Sequence, residues 1–196
     1  MMQRTEARQA RAIPPDMAQS DRRLLVQRHD RRGRWQSALA ILFLLMSGGG
    51  PALADTAAGL AYMQRGAYFR AFMEFEDPAK AGDAVAQANL GAIYFYGLGL
   101  PADFTQSAYW YRAAALQGNI DAQLGLAILY TTGKGVPPSF PIAHMWLAIA
   151  ENAMPPSPDR ARVVEDMKAL AGKMSPGEIA ESKNLLDAWY SRHTAP

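Results

Sequence analysis

Leu90, Ile93, Tyr94 and Gly97 recur at the spacing of one helical face, and the run Gly97-Leu98-Gly99-Leu100-Pro101 that follows is too rich in glycine and proline to continue that helix. Asp103 then offers a side-chain cap, with Gln106 three residues on as a capping-box partner. A second helix is predicted with Ser107, Trp110, Tyr111 and Ala114 on one side, closed by Gly118. The pattern is a helical hairpin. Further along, Pro155, Pro156 and Pro158 force a connection, and Ser157-Pro158 reads as a cap with proline in the first turn. Ser175-Pro176-Gly177-Glu178 carries a Ser-x-x-Glu capping box. Two more helices are therefore predicted, roughly 158 to 173 and 176 to 191. Val163, Met167, Leu170 and Ala171 stripe the first; Ile179, Leu185, Leu186 and Trp189 stripe the second.

The hairpin is not unique. A shift of 36 residues superposes Ala86-Gln87 on Ala122-Gln123, Leu90 on Leu126, Tyr94 on Tyr130, Gly97 on Gly133, Gly99 on Gly135, Pro101 on Pro137, Phe104 on Phe140 and Trp110 on Trp146. The same shift places Tyr68 on Phe104, Phe75 on Tyr111, Gly82 on Gly118 and Asp83 on Asn119, so an earlier unit precedes these two. Its first half aligns at an offset of 32, Gly59 on Gly91 and Tyr62 on Tyr94, because it lacks four residues around Gly97 to Leu100. One such hairpin cannot bury its apolar side alone, so the units must stack into a solenoid. The expected architecture is an all-α, α/α solenoid of stacked hairpins. It divides into an N-terminal segment 1–54, three hairpins over 55–153, and two capping helices with a tail over 154–196.

The string Ala-Gln-x-x-Leu-Gly-x-x-Tyr-x-x-Gly-x-Gly, followed by proline, aspartate, a small residue and Trp-Tyr-x-x-Ala-Ala, spans Ala86 to Ala115 and resembles the Sel1-like repeat, a relative of the tetratricopeptide repeat. The copy from Ala122 to Ala150 keeps most landmarks but has Ala127 for glycine, Ser139 for aspartate and Leu147 for tyrosine. The unit from Thr56 to Gly82 is similar to the shorter tetratricopeptide form. Exported members of the family often end in a segment like Met174 to Trp189. The resemblance implies a scaffold or adaptor that binds other proteins.

Charge changes the picture at the N-terminus. Residues 4 to 34 hold nine arginines and no lysine, and Trp35 to Ala54 is uncharged. Within it Ala38 to Met46 is unbroken apolar sequence, followed by Ser47, three glycines, Pro51 and Ala52-Leu53-Ala54. A basic lead, a short apolar run and a small-x-small site describe a secretory signal peptide cleaved near Ala54, with Met1 or Met17 as the start. An uncleaved membrane anchor is the alternative, but it wants ~20 apolar residues. The protein is expected in the periplasm or secreted, touching the membrane only through residues 35 to 54 if these are retained. Of 20 Lys and Arg and 18 Asp and Glu, residues 55 to 196 retain eleven and fourteen, so the basic overall balance does not point to nucleic acid.

Candidate chemistry is sparse. With no cysteine, disulfides, thiolate zinc sites and cysteine nucleophiles are excluded. His193 lies in the tail, and His144 takes the place of Ala108 one repeat earlier, so it reads as a surface or groove residue. Gly97-Leu98-Gly99 and Gly133-Lys134-Gly135 follow helices and lack the Gly-Lys-Ser/Thr ending of a phosphate loop. Glu74, Glu76 and Asp77 read as a solvated face. Tyr94, Trp110 and Tyr111 are assigned to the core; Phe95, Tyr96 and Tyr109 are expected to be freer to meet a partner. No cofactor, metal or catalytic set is expected.

In stacked hairpins the first helices line a concave face. Carrying over the groove positions of the related repeat gives three columns: Thr56, Ala88 and Leu124; Leu60, Ala92 and Ile128; Met63, Phe95 and Thr131. Leu60, Met63, Ala88, Ala92, Phe95, Leu124, Ile128 and Thr131 are the candidate partner-binding residues. Their apolar or neutral character suits a peptide or helix with apolar anchors from an envelope protein. The rival expectation is an envelope enzyme, since some cysteine-rich relatives are linked to beta-lactam or cell-wall hydrolysis. That precedent transfers poorly to a chain without cysteine.

Overall fold

The computed structural model describes residues 51–193, with side chains from Thr56 onward. Residues 1–50 and 194–196 lie outside the described residues, and with them most of the segment 1–54 expected to be a signal peptide. The order is α1 (Pro51–Gln64), α2 (Tyr68–Lys80), α3 (Ala84–Tyr96), α4 (Phe104–Leu116), α5 (Ile120–Thr132), α6 (Phe140–Ala153), α7 (Pro158–Ala171) and α8 (Pro176–His193), with no strand among the described residues. Each helix packs on the next from α1 to α7, the first helices of neighbouring hairpins also touch (α1 with α3, α3 with α5), and α8 folds back on α6. The chain is an all-α helical-repeat solenoid. The loop from α1 to α2 is four residues shorter than those from α3 to α4 and from α5 to α6, which is the deletion seen between the repeats.

Local chemistry sets the helix ends. Asp83 accepts from the Ala86 amide (2.7 Å), Asn119 from the Ala122 amide (2.9 Å), and Asp103 from the amides of Thr105 and Gln106 (2.9 and 3.0 Å), satisfying donors that a helix leaves open in its first turn. The Ser175 box is reciprocal: the Ser175 amide donates to Glu178 Oε2 (2.8 Å), and the Glu178 amide to Ser175 Oγ (3.3 Å). Those bonds, first the one from the backbone, hold the Glu178 carboxyl below its ordinary pKa. In the first unit Ala67 stands where Asp103 stands in the next, and α2 has no side-chain cap.

Gly97 closes α3 in the left-handed region (φ 63°) and donates to the Ile93 carbonyl, so the glycine-rich run is a turn. The second glycine of each turn has a further reason. Gly99 (φ 73°) and Gly135 (φ 69°) press on the preceding unit, where a Cβ would lie 2.6 Å from the Phe69 amide nitrogen and 2.2 Å from the Phe104 carbonyl carbon, respectively.

Within the hairpins, a glycine faces an aromatic ring. A Cβ on Gly59 would come within 2.4 Å of the Phe75 ring, and one on Gly91 within 2.4 Å of Tyr111. The third hairpin changes both partners together, to Ala127 and Leu147, both buried. Two of its three departures from the repeat pattern thus exchange volume between the hairpin's helices, while the third, Ser139, still caps its helix through the Ile142 amide. Tyr111 is also gripped from the following unit, with a Cβ on Gly125 only 2.6 Å from its ring. Phe75 and Leu90 are fully buried, each contributing roughly 1.5–3 kcal/mol through burial.

A polar ladder repeats with the same period. Gln87 Nε2 donates to the Ala79 carbonyl of the preceding unit (2.9 Å), and Gln123 Nε2 does the same to Ala115 (3.2 Å). Gln87 Oε1 also accepts from Gln117 Nε2 (2.8 Å), but Gln123 Oε1 is buried with no partner. The residue 36 positions after Gln117 is Ala153, which has nothing to donate. Ala153→Gln is therefore expected to raise stability by about 1 kcal/mol, read as an increase of about 3 °C in Tm. An unchanged Tm in Ala153→Gln, or one equally raised by Ala153→Leu, would show that the orphaned acceptor costs the fold nothing.

Candidate functional site

The concave face is built by α1, α3 and α5. Asp83 and Asn119 cap the last two, so the same helical register is presented in each unit. α3 contains no charged residue and α5 only Asp121, in its first turn. Beyond Asp121 the surface of α3 and α5 carries no charge.

The structure sorts the eight predicted residues into three groups. Ile128 is the most open, at 46% exposure. Leu60, Met63, Phe95, Leu124 and Thr131 are half-buried. Ala88 and Ala92 are buried within the core cluster, so the first two columns are interrupted at the middle unit, and Thr56 is buried at the head of the first column. The side-on packing of α3 against α1 and α5 closes over those small side chains and corrects their assignment to the binding surface. Val85, at 40% exposure, opens at the start of α3 instead. It lies three residues before Ala88 on the same stripe, a signal the carried-over columns did not include.

Phe95 does not stand free. Its ring meets Tyr96 edge-on at 4.8 Å and Phe104 at 5.6 Å, and lies 6.5 Å from Tyr111. It lines the face and also seals the top of the α3–α4 hairpin, so the expectation that it projects for a partner is corrected. Tyr109 is 62% exposed, on α4. Of the aromatics assigned to the core, Tyr111 is buried, which drives its phenol pKa well above 10, while Tyr94 and Trp110 are half-buried. The Thr131 hydroxyl donates to the Ala127 carbonyl within α5 (2.7 Å) and is spent there. Arg112 Nη2 donates to the Tyr130 hydroxyl (2.6 Å), tying α4 to α5.

Glu76 and Asp77 share Lys80 at 3.5 and 3.8 Å on the surface of α2. No group of three or more His, Asp or Glu that could hold a metal occurs among the described residues. His144 Nδ1 is hydrogen-bonded to Ser182 Oγ (2.9 Å), joining α6 to α8. A serine beside a histidine is the geometry of an activated nucleophile, but Ser182 is only 2% exposed and faces the helix junction. A shallow recess of about 330 Å³ between α6 and α7 is lined by His144, Glu151, Val164, Met167, Lys168 and Ala171. Glu151 is held there by Arg160 at 2.5 Å.

Comparisons with known proteins agree with this geometry. Residues 84–119 and 120–153, α3 with α4 and α5 with α6, each match the Sel1 repeat. The crystal structure of c5321, a protective antigen present in uropathogenic Escherichia coli strains and displaying a Sel1-like repeat fold, is similar at a TM-score of 0.63 and 26% identity. That match covers 72% of this chain but only 30% of the antigen. No curated protein matches the chain. The solenoid and its interlocked units define an α/α-repeat scaffold, and residues 84–153 of the chain form two Sel1 repeats within it. Sel1 repeats mediate protein–protein interaction.

Burial lowers the pKa of His144 below its usual 6.5, because desolvation disfavours the imidazolium. The unfolded chain therefore takes up this proton before the folded one. The stabilisation is complete above pH 6.5 and is lost as the pH falls through the lower folded value. His144→Gln keeps a hydrogen-bonding partner for Ser182 without titrating. The expected result is a Tm that falls less steeply in His144→Gln than in the parent below pH 6.5; parallel curves would show that His144 titrates alike in both states.

Proposed function

We propose that the protein is a non-catalytic adaptor of the bacterial cell envelope that holds a protein or peptide ligand on the concave face of its solenoid. The observation that carries this reading is the surface of α3 and α5, whose one charged residue is Asp121 in the first turn of α5, opened by Val85, Ile128 and the half-buried Leu124. Such a surface offers apolar anchoring with no field for a polyanion, and it fits an extended peptide or an amphipathic helix with apolar side chains. The antigen that shares the fold is a protein of a bacterial pathogen, and the N-terminal arginine-rich lead with its short apolar run is the sequence feature that favours export. In this reading residues 1–54 are removed and the adaptor works in the periplasm or outside the cell. No group described above favours hydrolytic chemistry over binding.

The test is site-specific photocrosslinking in the producing cells. A benzophenone side chain at Ile128 is expected to give a discrete protein adduct absent when the same group replaces Glu165 on α7. Mass spectrometry of the adduct is expected to show the chain beginning at Asp55. Equal or no adducts at the two positions would remove the concave-face assignment, and a retained N-terminal segment would remove the cleavage claim.

A further inference from the structure

Six large apolar side chains are strongly exposed among the described residues, and four of them lie on the second helices of the first two hairpins. These are Phe69 (59%) and Met73 (55%) on α2, and Tyr109 (62%) and Leu116 (50%) on α4. They are not scattered. Met73 and Tyr109 are separated by the repeat length of 36 residues, and on a helix of about 3.6 residues per turn Phe69 and Met73 share a face, as do Tyr109 and Leu116. The four form an apolar strip on each of the two outer helices, aligned at Met73 and Tyr109, with Thr105 at the position of Phe69 on α4 and Lys80 at that of Leu116 on α2.

The third hairpin shows what such a ridge accepts. One repeat further on, the position of Met73 and Tyr109 is Met145, and the position of Phe69 is Pro141. Both are buried, Met145 to 8% exposure. The cover is α8. It touches α6 on two flanks, at His144 through Ser182 (2.9 Å) and at Trp146 through Trp189 (ring centroids 5.0 Å). Residues 144 and 146 lie on opposite sides of the face centred on Met145, so α8 straddles that face. Ile179, Leu185, Leu186 and Trp189 of α8 all pack against the core cluster that includes Met145.

We infer that the outer ridge of α2 and α4 is a second docking surface, for an amphipathic helix of a partner protein with the chemistry of α8: an aliphatic stripe ending in a tryptophan. At the position shared by Met73, Tyr109 and Met145 the ridge continues, in the same register, the surface that α8 already covers on α6. Trp110, the counterpart of Trp146, is half-buried beside Tyr109 (4.9 Å) and provides the ring on which such a tryptophan would rest. This surface is separate from the concave face and does not depend on it.

The probe is a fluorescein-labelled peptide of residues 174–193, titrated into the full chain and followed by fluorescence anisotropy. Saturable binding is expected, weakened at least about ten-fold by Met73→Ser with Tyr109→Ser. Both side chains are exposed, so the helical melting curve of the double variant is expected to match the parent's. Leu116→Ser, at the far end of the ridge, checks the assignment independently and is expected to weaken binding in the same direction. Absence of saturable binding would overturn the inference. So would equal binding by the parent and all variants, which would mean that the peptide exchanges with α8 on α6. Concentration-dependent dimerisation lost in the double variant, without peptide binding, would assign the ridge to a second copy of the chain and overturn it as well.

Discussion

The structure depends on how closely two helices approach within a hairpin, and a glycine set against an aromatic ring fixes that approach. Gly91 and Gly125 hold Tyr111 from either side, one from its own hairpin and one from the next, so a single ring joins the packing within a unit to the packing between units. Protein interiors are close-packed, and a methyl group at either glycine would overlap the ring. The first hairpin repeats the device with Gly59 and Phe75. The third replaces it by Ala127 and Leu147, moving volume from one helix to its neighbour while keeping both buried. The Gln87 and Gln123 bonds to the preceding unit then set the stacking register, because each reaches a carbonyl eight residues back across the hairpin junction.

That geometry produces the surfaces. Small residues let α3 lie close to its neighbours, and the same closeness buries Ala88 and Ala92, leaving the concave face to Val85, Leu124, Phe95 and Ile128. On the outer side the second helices carry a ridge of large apolar groups, and the chain covers the last part of it with α8. The His144–Ser182 bond and the Trp146–Trp189 contact fasten that cover at two points. A solenoid of three hairpins is thus closed at its C-terminal end by the same kind of helix-on-ridge contact that its earlier units leave open.

Much of this is legible in the sequence because it is written in short-range signals. The Asp103, Ser157 and Ser175 caps and the Gly-x-Gly turns depend on residues a few positions apart, the 36-residue identities repeat them, and the bounds expected for the two capping helices fall within a turn of those observed. The capping helices are found in the same way, α7 ending at Ala171 and α8 reaching His193. What the sequence does not carry is the distance between elements. Whether Ala88 opens to a groove or closes into the core depends on how near α1 and α5 lie, and Phe95 turns inward only because Phe104 and Tyr111 stand where they do. Gly125 looks unremarkable until Tyr111 is seen against it, and His144 and Ser182 are brought together across 38 residues by the return of α8.

The glycine–aromatic interlock is tested most directly by a double-mutant cycle on Gly91 and Tyr111, read by urea denaturation. Gly91→Ala alone is expected to cost about 1–3 kcal/mol by overpacking. In the Tyr111→Leu background the ring is gone, as it is one repeat further on, and the same substitution is expected to cost less by at least about 0.5 kcal/mol. Equal costs of Gly91→Ala in both backgrounds would contradict the account, because the glycine would then be required for a reason other than the ring it faces.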